Sequence, residues 1–205
     1  MKKKLSFIFL TLGLSLWAGS NPKDPYDHLN PRSLKNIQKA IKGVKPSLDE
    51  ARVERYAKAI QKSALKFEID PLTLVVIAHQ ESSFRENLPE GPAGELGMLQ
   101  IRKNWIENPK LRKHFKNLRM SDLKSPEKAF EIAAWILSDL KRARGKGKLP
   151  FWTYYNAKKL KNRLQYYVRV KRHLATIENR IRSPKVREVK LTLSQKRVTS
   201  SFPTN

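Results

Sequence analysis

This sequence predicts an all-α domain, and three observations carry that expectation. Apolar residues recur at intervals of three and four over several long segments, which places them on one face of a helix. Asp70-Pro71 and Ser125-Pro126 each stand at the head of such a segment, an N-cap followed by the residue best tolerated in a first helical turn. No sustained alternation of apolar and polar residues marks a strand, and no internal repeat appears.

The elements follow in order. Lys2-Lys3-Lys4, an apolar run over residues 5–16, and Trp17-Ala18-Gly19-Ser20 describe a secretory signal peptide, residues 1–20, too brief to span a bilayer comfortably. Cleavage after Ser20 fits best, with Ala18 as the rival site and a retained anchor as the other reading. Residues 21–46 form a proline-rich linker and a short helix carrying Leu34, Ile37 and Ile41. The folded domain is expected over residues 47–182. Ser47 and Glu50 make a capping box, opening a helix with Val53, Ala57, Ile60, Ala64 and Phe67 on one face and an end near Glu68.

The next helix starts at Asp70-Pro71. Leu72, Leu74, Val75, Val76, Ile77 and Ala78 are apolar nearly all round, as in a buried central helix. It should end around Ser82 to Phe84, before a loop over residues 85–94 with two prolines and two glycines. A short helix is expected over residues 98–105. The helix from Pro126 turns Ala129, Ile132, Ala133, Ile136, Leu137 and Leu140 inward and stops at Gly145 and Gly147. A last helix over residues 159–182 repeats Leu160, Leu164, Tyr167, Leu174, Ile177 and Ile181, and residues 183–205 read as a basic flexible tail.

Composition narrows the partners. Lys and Arg number 43 against 18 Asp and Glu, a net charge of +25, and such a field favours polyanions. With an export leader, the anionic partners are cell-envelope polymers and peptidoglycan rather than nucleic acid. A purely binding protein is the competing class; its basic residues on the last helix fall mostly opposite the apolar stripe, as on a solvated outer face. The chain has no cysteine, which excludes disulfides and a lipidated N-terminal cysteine. His28, His79, His114 and His173 are scattered without helical ligand spacing, so neither a metal nor another cofactor is expected. A monomer is expected.

Chemistry concentrates in two neighbouring blocks, Glu81-Ser82-Ser83-Phe84 and Gly97-Met98-Leu99-Gln100-Ile101. Helical geometry puts Glu81 on one face with Leu74, Ile77 and Ala78. Apolar surroundings raise a carboxyl pKa and suit it to general-acid work; the alternative is a solvated glutamate just past the buried turn. Gly91, Gly94 and Gly97 allow close backbone approach to a ligand, and Gln100 offers a donor and an acceptor to a sugar amide.

A third block, Tyr155-Asn156-Ala157, completes a pattern that resembles the soluble-type lytic transglycosylases of the lysozyme-like superfamily: Glu-Ser-x-Phe, then a Gly-Leu-Met-Gln-Ile-like block, then Tyr-Asn-Ala-Gly. The similarity covers residues 56–177. It implies a lysozyme-like all-α domain that cleaves peptidoglycan glycan strands. Glu81 would be the single catalytic acid and base, with Gln100 and Met98 or Leu99 lining the sugar groove. Tyr155 would hold the carboxyl, and Asn156 would support the substrate or the loop. Gly91 stands where the family often has a serine reaching toward the acid, a role that then falls to Ser82 or Ser83 or is missing. Met98-Leu99 inverts the usual order, Lys158 replaces a glycine, and Glu95 takes the place of a small or polar residue. Glu95 is expected on an exposed loop tip; placed opposite Glu81 it could activate water, which keeps a hydrolytic muramidase as the runner-up.

Overall fold

The computed structural model describes residues 32–198, with side-chain surroundings up to residue 180. The proposed leader, most of the linker and the last residues of the tail lie outside that range. The elements among the described residues are eight α-helices, one two-stranded ribbon and a 3-10 turn: α1 (Leu34–Val44), α2 (Glu50–Phe67), α3 (Pro71–Ser82), β1 (Glu95–Leu96), β2 (Ile101–Arg102), α4 (Lys103–Ile106), α5 (Pro109–His114), the 3-10 turn (Met120–Lys124), α6 (Pro126–Arg144), α7 (Thr153–Asn156) and α8 (Leu160–Val198). The all-α expectation holds. None of the described helices is long and apolar enough to cross a membrane.

Local chemistry explains most boundaries. Asp70 accepts a hydrogen bond from the N–H of Leu72 at 3.2 Å and Pro71 occupies the first turn of α3. Ser125 and Pro126 repeat the device at α6. For α2 the cap is Asp49, not Ser47: its carboxylate accepts from the N–H of Arg52 at 2.9 Å. The later start leaves Leu48 and Val53, both buried, at the two positions of a hydrophobic staple. Asn108-Pro109 opens α5 with the same cap-then-proline pair, a six-residue helix too short for apolar periodicity to mark.

α3 is the hub. Leu74, Val75, Val76, Ile77 and Ala78 are all buried, because α1, α2, α6 and α8 each pack against it. Burial on every side is why its sequence has no polar stripe. Outside it, α2 packs along α6 and α1 along α8. A hollow of about 400 Å³ between α2 and α6 is bordered by the ion pairs Arg55–Glu127 and Lys66–Glu131.

Three other expectations are corrected. Residues 98–105 are not one helix: Gly97 and Gln100 adopt positive φ, 68° and 45°, which a right-handed helix cannot contain. The segment is instead a tight ribbon, Glu95 paired with Arg102 and Leu96 with Ile101, followed by α4. The last helix runs on to Val198 rather than stopping at Arg182. Ser183-Pro184 does not end it, and the Lys, Arg, Leu, Val and Gln residues that follow are mostly good helix formers. The inward face of α8 also differs from the stripe read from the sequence. Arg163, Tyr166, Val170 and Ile177 are buried, whereas Leu160 and Leu164 are 60% and 45% exposed.

Candidate active site

The C-terminal end of α3 delivers Glu81, and the backbone turns sharply just beyond it. Ser83 and Phe84 both adopt left-handed angles, φ 53° and 62°, a costly conformation for side-chain-bearing residues. What holds it is Phe84, buried and stacked on Tyr56 with ring centroids 5.9 Å apart. The Tyr56 hydroxyl in turn donates to Glu86. The buried helix therefore stops within one residue of its carboxylate, and Glu81 faces open space instead of the next helical turn.

Glu81 lines a cleft of about 190 Å³ together with Pro92, Glu95, Gln100, Arg102, Tyr155 and Asn156. Its Oε1 accepts a hydrogen bond from the hydroxyl of Tyr166 on α8 at 2.8 Å. Burial lifts its pKa to about 7; the Tyr166 bond and the charges of Arg102 and Arg169 pull it down, and Glu95 pushes it up. The negative end of the α3 dipole acts in the same direction as burial. Near neutral pH the group is poised between acid and base. Tyr166 occupies Oε1, so Oε2 is the carboxyl oxygen without a described hydrogen bond.

The opposite wall comes from the ribbon and α7. Gly97 brings it close to the 3-10 turn: a Cβ there would lie 2.0 Å from the carbonyl oxygen of Leu123. Gln100 is held by its own Nε2, which donates to the carbonyl of Gly97 at 3.0 Å. α7 is clamped to α8 by Arg163, whose Nε donates to Thr153 Oγ1 at 3.1 Å while its guanidinium lies 3.3 Å from the Tyr154 ring centroid. From α7 the Tyr155 hydroxyl donates to the carbonyl of Leu99 at 2.9 Å, locking α7 to the ribbon. Burial, then the nearby Glu81, raises the Tyr155 pKa well above its ordinary value, so it remains a neutral donor.

Four of the residues singled out from the sequence thus meet in one cleft: Glu81, Gln100, Tyr155 and Asn156. Three do not line it. Ser82 is buried and its hydroxyl donates back to the carbonyl of Ala78 at 3.1 Å, so it cannot replace a cleft-facing serine. Met98 and Leu99 are buried in the core, since the turn that exposes Gln100 points its two predecessors inward; Leu99 contributes its backbone carbonyl instead. The tyrosine on the carboxyl is Tyr166, not Tyr155. Its place on the buried face of α8, four residues before Val170, is a periodic signal that the reading through Tyr167 passed over. Arg102 and Pro92 were also missed. Glu95 is not on an exposed tip: its side chain is 15% exposed and faces the cleft. Lys158 is absent from the positive-φ residues, so the loop after Asn156-Ala157 has no need of a glycine there.

A helical domain with a shielded carboxyl at the end of its central helix, facing a glutamine and a tyrosine, defines a lysozyme-like catalytic domain. The profile of the transglycosylase SLT domain matches residues 58–171, and the chain belongs to that family. No match to it was found among curated proteins or among solved structures. Membership implies peptidoglycan as the substrate class.

Proposed function

We propose that this protein is a peptidoglycan lytic transglycosylase that cleaves the bond between N-acetylmuramic acid and N-acetylglucosamine, with Glu81 as its single acid and base. The observation that carries the reading is the shielded Glu81 carboxyl, its pKa near 7 and one oxygen held by Tyr166. Glu81 donates its proton from Oε2 to the bridging oxygen as the bond to the anomeric carbon breaks. The substrate's acetamido carbonyl stabilises the resulting cation. The carboxylate then takes the proton of the muramoyl 6-hydroxyl, whose oxygen closes onto the anomeric carbon. The product is a 1,6-anhydro sugar, water is not consumed, and Glu81 ends as it began. Gln100 and Asn156 offer amide hydrogen bonds to the sugars, and Tyr155 keeps their wall in place.

A pKa near ambient pH serves both halves of this cycle, since one group must give a proton and regain one. The basic leader followed by an apolar run supports export to the cell envelope, and the net charge of +25 supports salt-sensitive retention on anionic wall polymers. Mass analysis of fragments released from purified peptidoglycan tests the reaction. Anhydro-muramoyl ends are expected; reducing muramoyl ends would assign a hydrolytic muramidase, the reading that a second carboxylate in the cleft keeps open.

A further inference from the structure

Gly91 and Glu95 fit one another. A Cβ at position 91 would lie 2.5 Å from Oε2 of Glu95, so the glutamate carboxylate occupies the space that a side chain there would need. The loop is wound around it: Gly91 N–H donates to the Glu95 carbonyl at 2.9 Å, and Gly94 N–H to the Gly91 carbonyl at 2.9 Å. Both carboxylate oxygens are fixed. Oε2 accepts from the N–H of Ala93 at 2.8 Å, and Oε1 accepts from Nε of Arg102, its partner across the ribbon, at 3.2 Å. A long side chain pinned at both oxygens and only 15% exposed is a fixed charge, unlike the mobile, solvated glutamate usual on a loop. It lines the same small cleft as Glu81.

We propose that Glu95, seated in the gap left by Gly91 and clamped by Arg102, is a second functional carboxylate of this cleft, a fixed negative charge that stabilises the cation forming on the bound sugar. The inference rests on the reading of Glu81 as the acid. Glu95 forms and breaks no bond: the proton still leaves Glu81 for the bridging oxygen and returns from the 6-hydroxyl. Preorganised charge of this kind acts on the transition state more than on the bound ground state. The charged and titratable groups around Glu81 are Glu95 on β1, Arg102 on β2, Tyr155 on α7, and Tyr166 and Arg169 on α8.

Glu95→Gln keeps the shape and removes the charge. On purified peptidoglycan it should lower kcat by roughly tenfold or more with KM and the unfolding midpoint nearly unchanged. The alkaline limb of the pH profile should move to lower pH, because an anion beside Glu81 is gone and the Arg102 charge is released. Anhydro ends should remain the product. Wild-type kcat with an unmoved limb would overturn the inference. So would a fall in kcat that tracks a fall in stability and leaves the limb in place. A change from reducing to anhydro ends would overturn it as well, since the carboxylate would then be activating water. If Glu81→Gln itself cleaves normally, the site reading fails first and this inference with it.

Discussion

The hydroxyl of Tyr166, on the last helix, donates to Oε1 of Glu81, on the central helix, across 2.8 Å. Eighty-five residues separate the two in sequence, so this bond exists only once α8 has closed onto α3. It is the sole described hydrogen bond to the carboxyl, and it favours the charged form against the burial that disfavours it. Tyr166→Phe should therefore raise the Glu81 pKa further and shift the alkaline limb of activity upward. The carboxyl also loses the one described bond that orients it, so kcat should fall by roughly tenfold. A pH–rate profile of the variant checks both; an unmoved limb would show that the bond does not tune the acid.

Tyr155 has a structural task in the same cleft. Tyr155→Phe leaves the carbonyl of Leu99 without its donor in a buried site, which should destabilise the fold by about 1–3 kcal/mol. Because α7 and the ribbon would loosen together, substrate affinity should drop along with stability. Urea unfolding read beside KM tests this; unchanged values of both would place the hydroxyl outside the scaffold.

Gly97 admits no side chain. Its φ of 68° and the 2.0 Å approach to the Leu123 carbonyl oxygen mean that Gly97→Ala must push the ribbon off the 3-10 turn. The expected loss is roughly 2 kcal/mol or more of stability, with cleavage strongly reduced. Near wild-type unfolding and activity would contradict the close approach.

Stability should fall in acid, and His79 supplies part of the reason. Its Nδ1 is buried without a partner, its ring meets that of His173 at 4.6 Å, and burial followed by the charges of His173 and Lys45 lowers its pKa to about 4. An unfolded histidine titrates near ~6.5. Between those values the unfolded chain gains a proton that the folded one refuses, so stability declines as pH drops through that window. Glu127, held at about 2 by Arg55, adds to the loss as pH falls below the ordinary carboxylate value. Glu81 opposes it: with a folded pKa of about 7, its contribution is greatest in acid and is lost as pH rises toward 7. Urea midpoints at pH 7 and pH 5 should converge in His79→Gln relative to wild type; an identical acid loss in the two proteins would remove His79 from the account.

Periodicity and caps made the larger helices legible, because α3 and α6 begin with an N-cap and proline and bury their apolar residues regardless of what surrounds them. Glu81 was legible as well, since a carboxyl at the end of an all-apolar helix stands out. What sequence could not supply was direction. Whether Met98, Leu99 or Gln100 faces the cleft depends on two positive φ angles in a four-residue turn, and no periodic pattern survives such a turn. Tyr166 and Tyr167 are adjacent on α8, and only the packing against α3 decides which of them reaches Glu81. Glu95 looked like a loop-tip residue because loops are usually solvated; the void at Gly91, which draws it inward, is a property of the folded backbone. The start of α2 moved for a local reason, the staple residues Leu48 and Val53, which the capping-box pattern outweighed in the sequence.

The most direct measurement is the cleavage of purified peptidoglycan by Glu81→Gln beside the wild-type protein, with circular dichroism and urea unfolding on both. The substitution removes a buried carboxyl and keeps an acceptor for Tyr166, so the fold should be retained at equal or higher stability near neutral pH. Released fragments should drop by at least about 1000-fold. A folded Glu81→Gln protein that still releases anhydro-muramoyl fragments at near wild-type rate would contradict the assignment of this carboxyl as the acid and base.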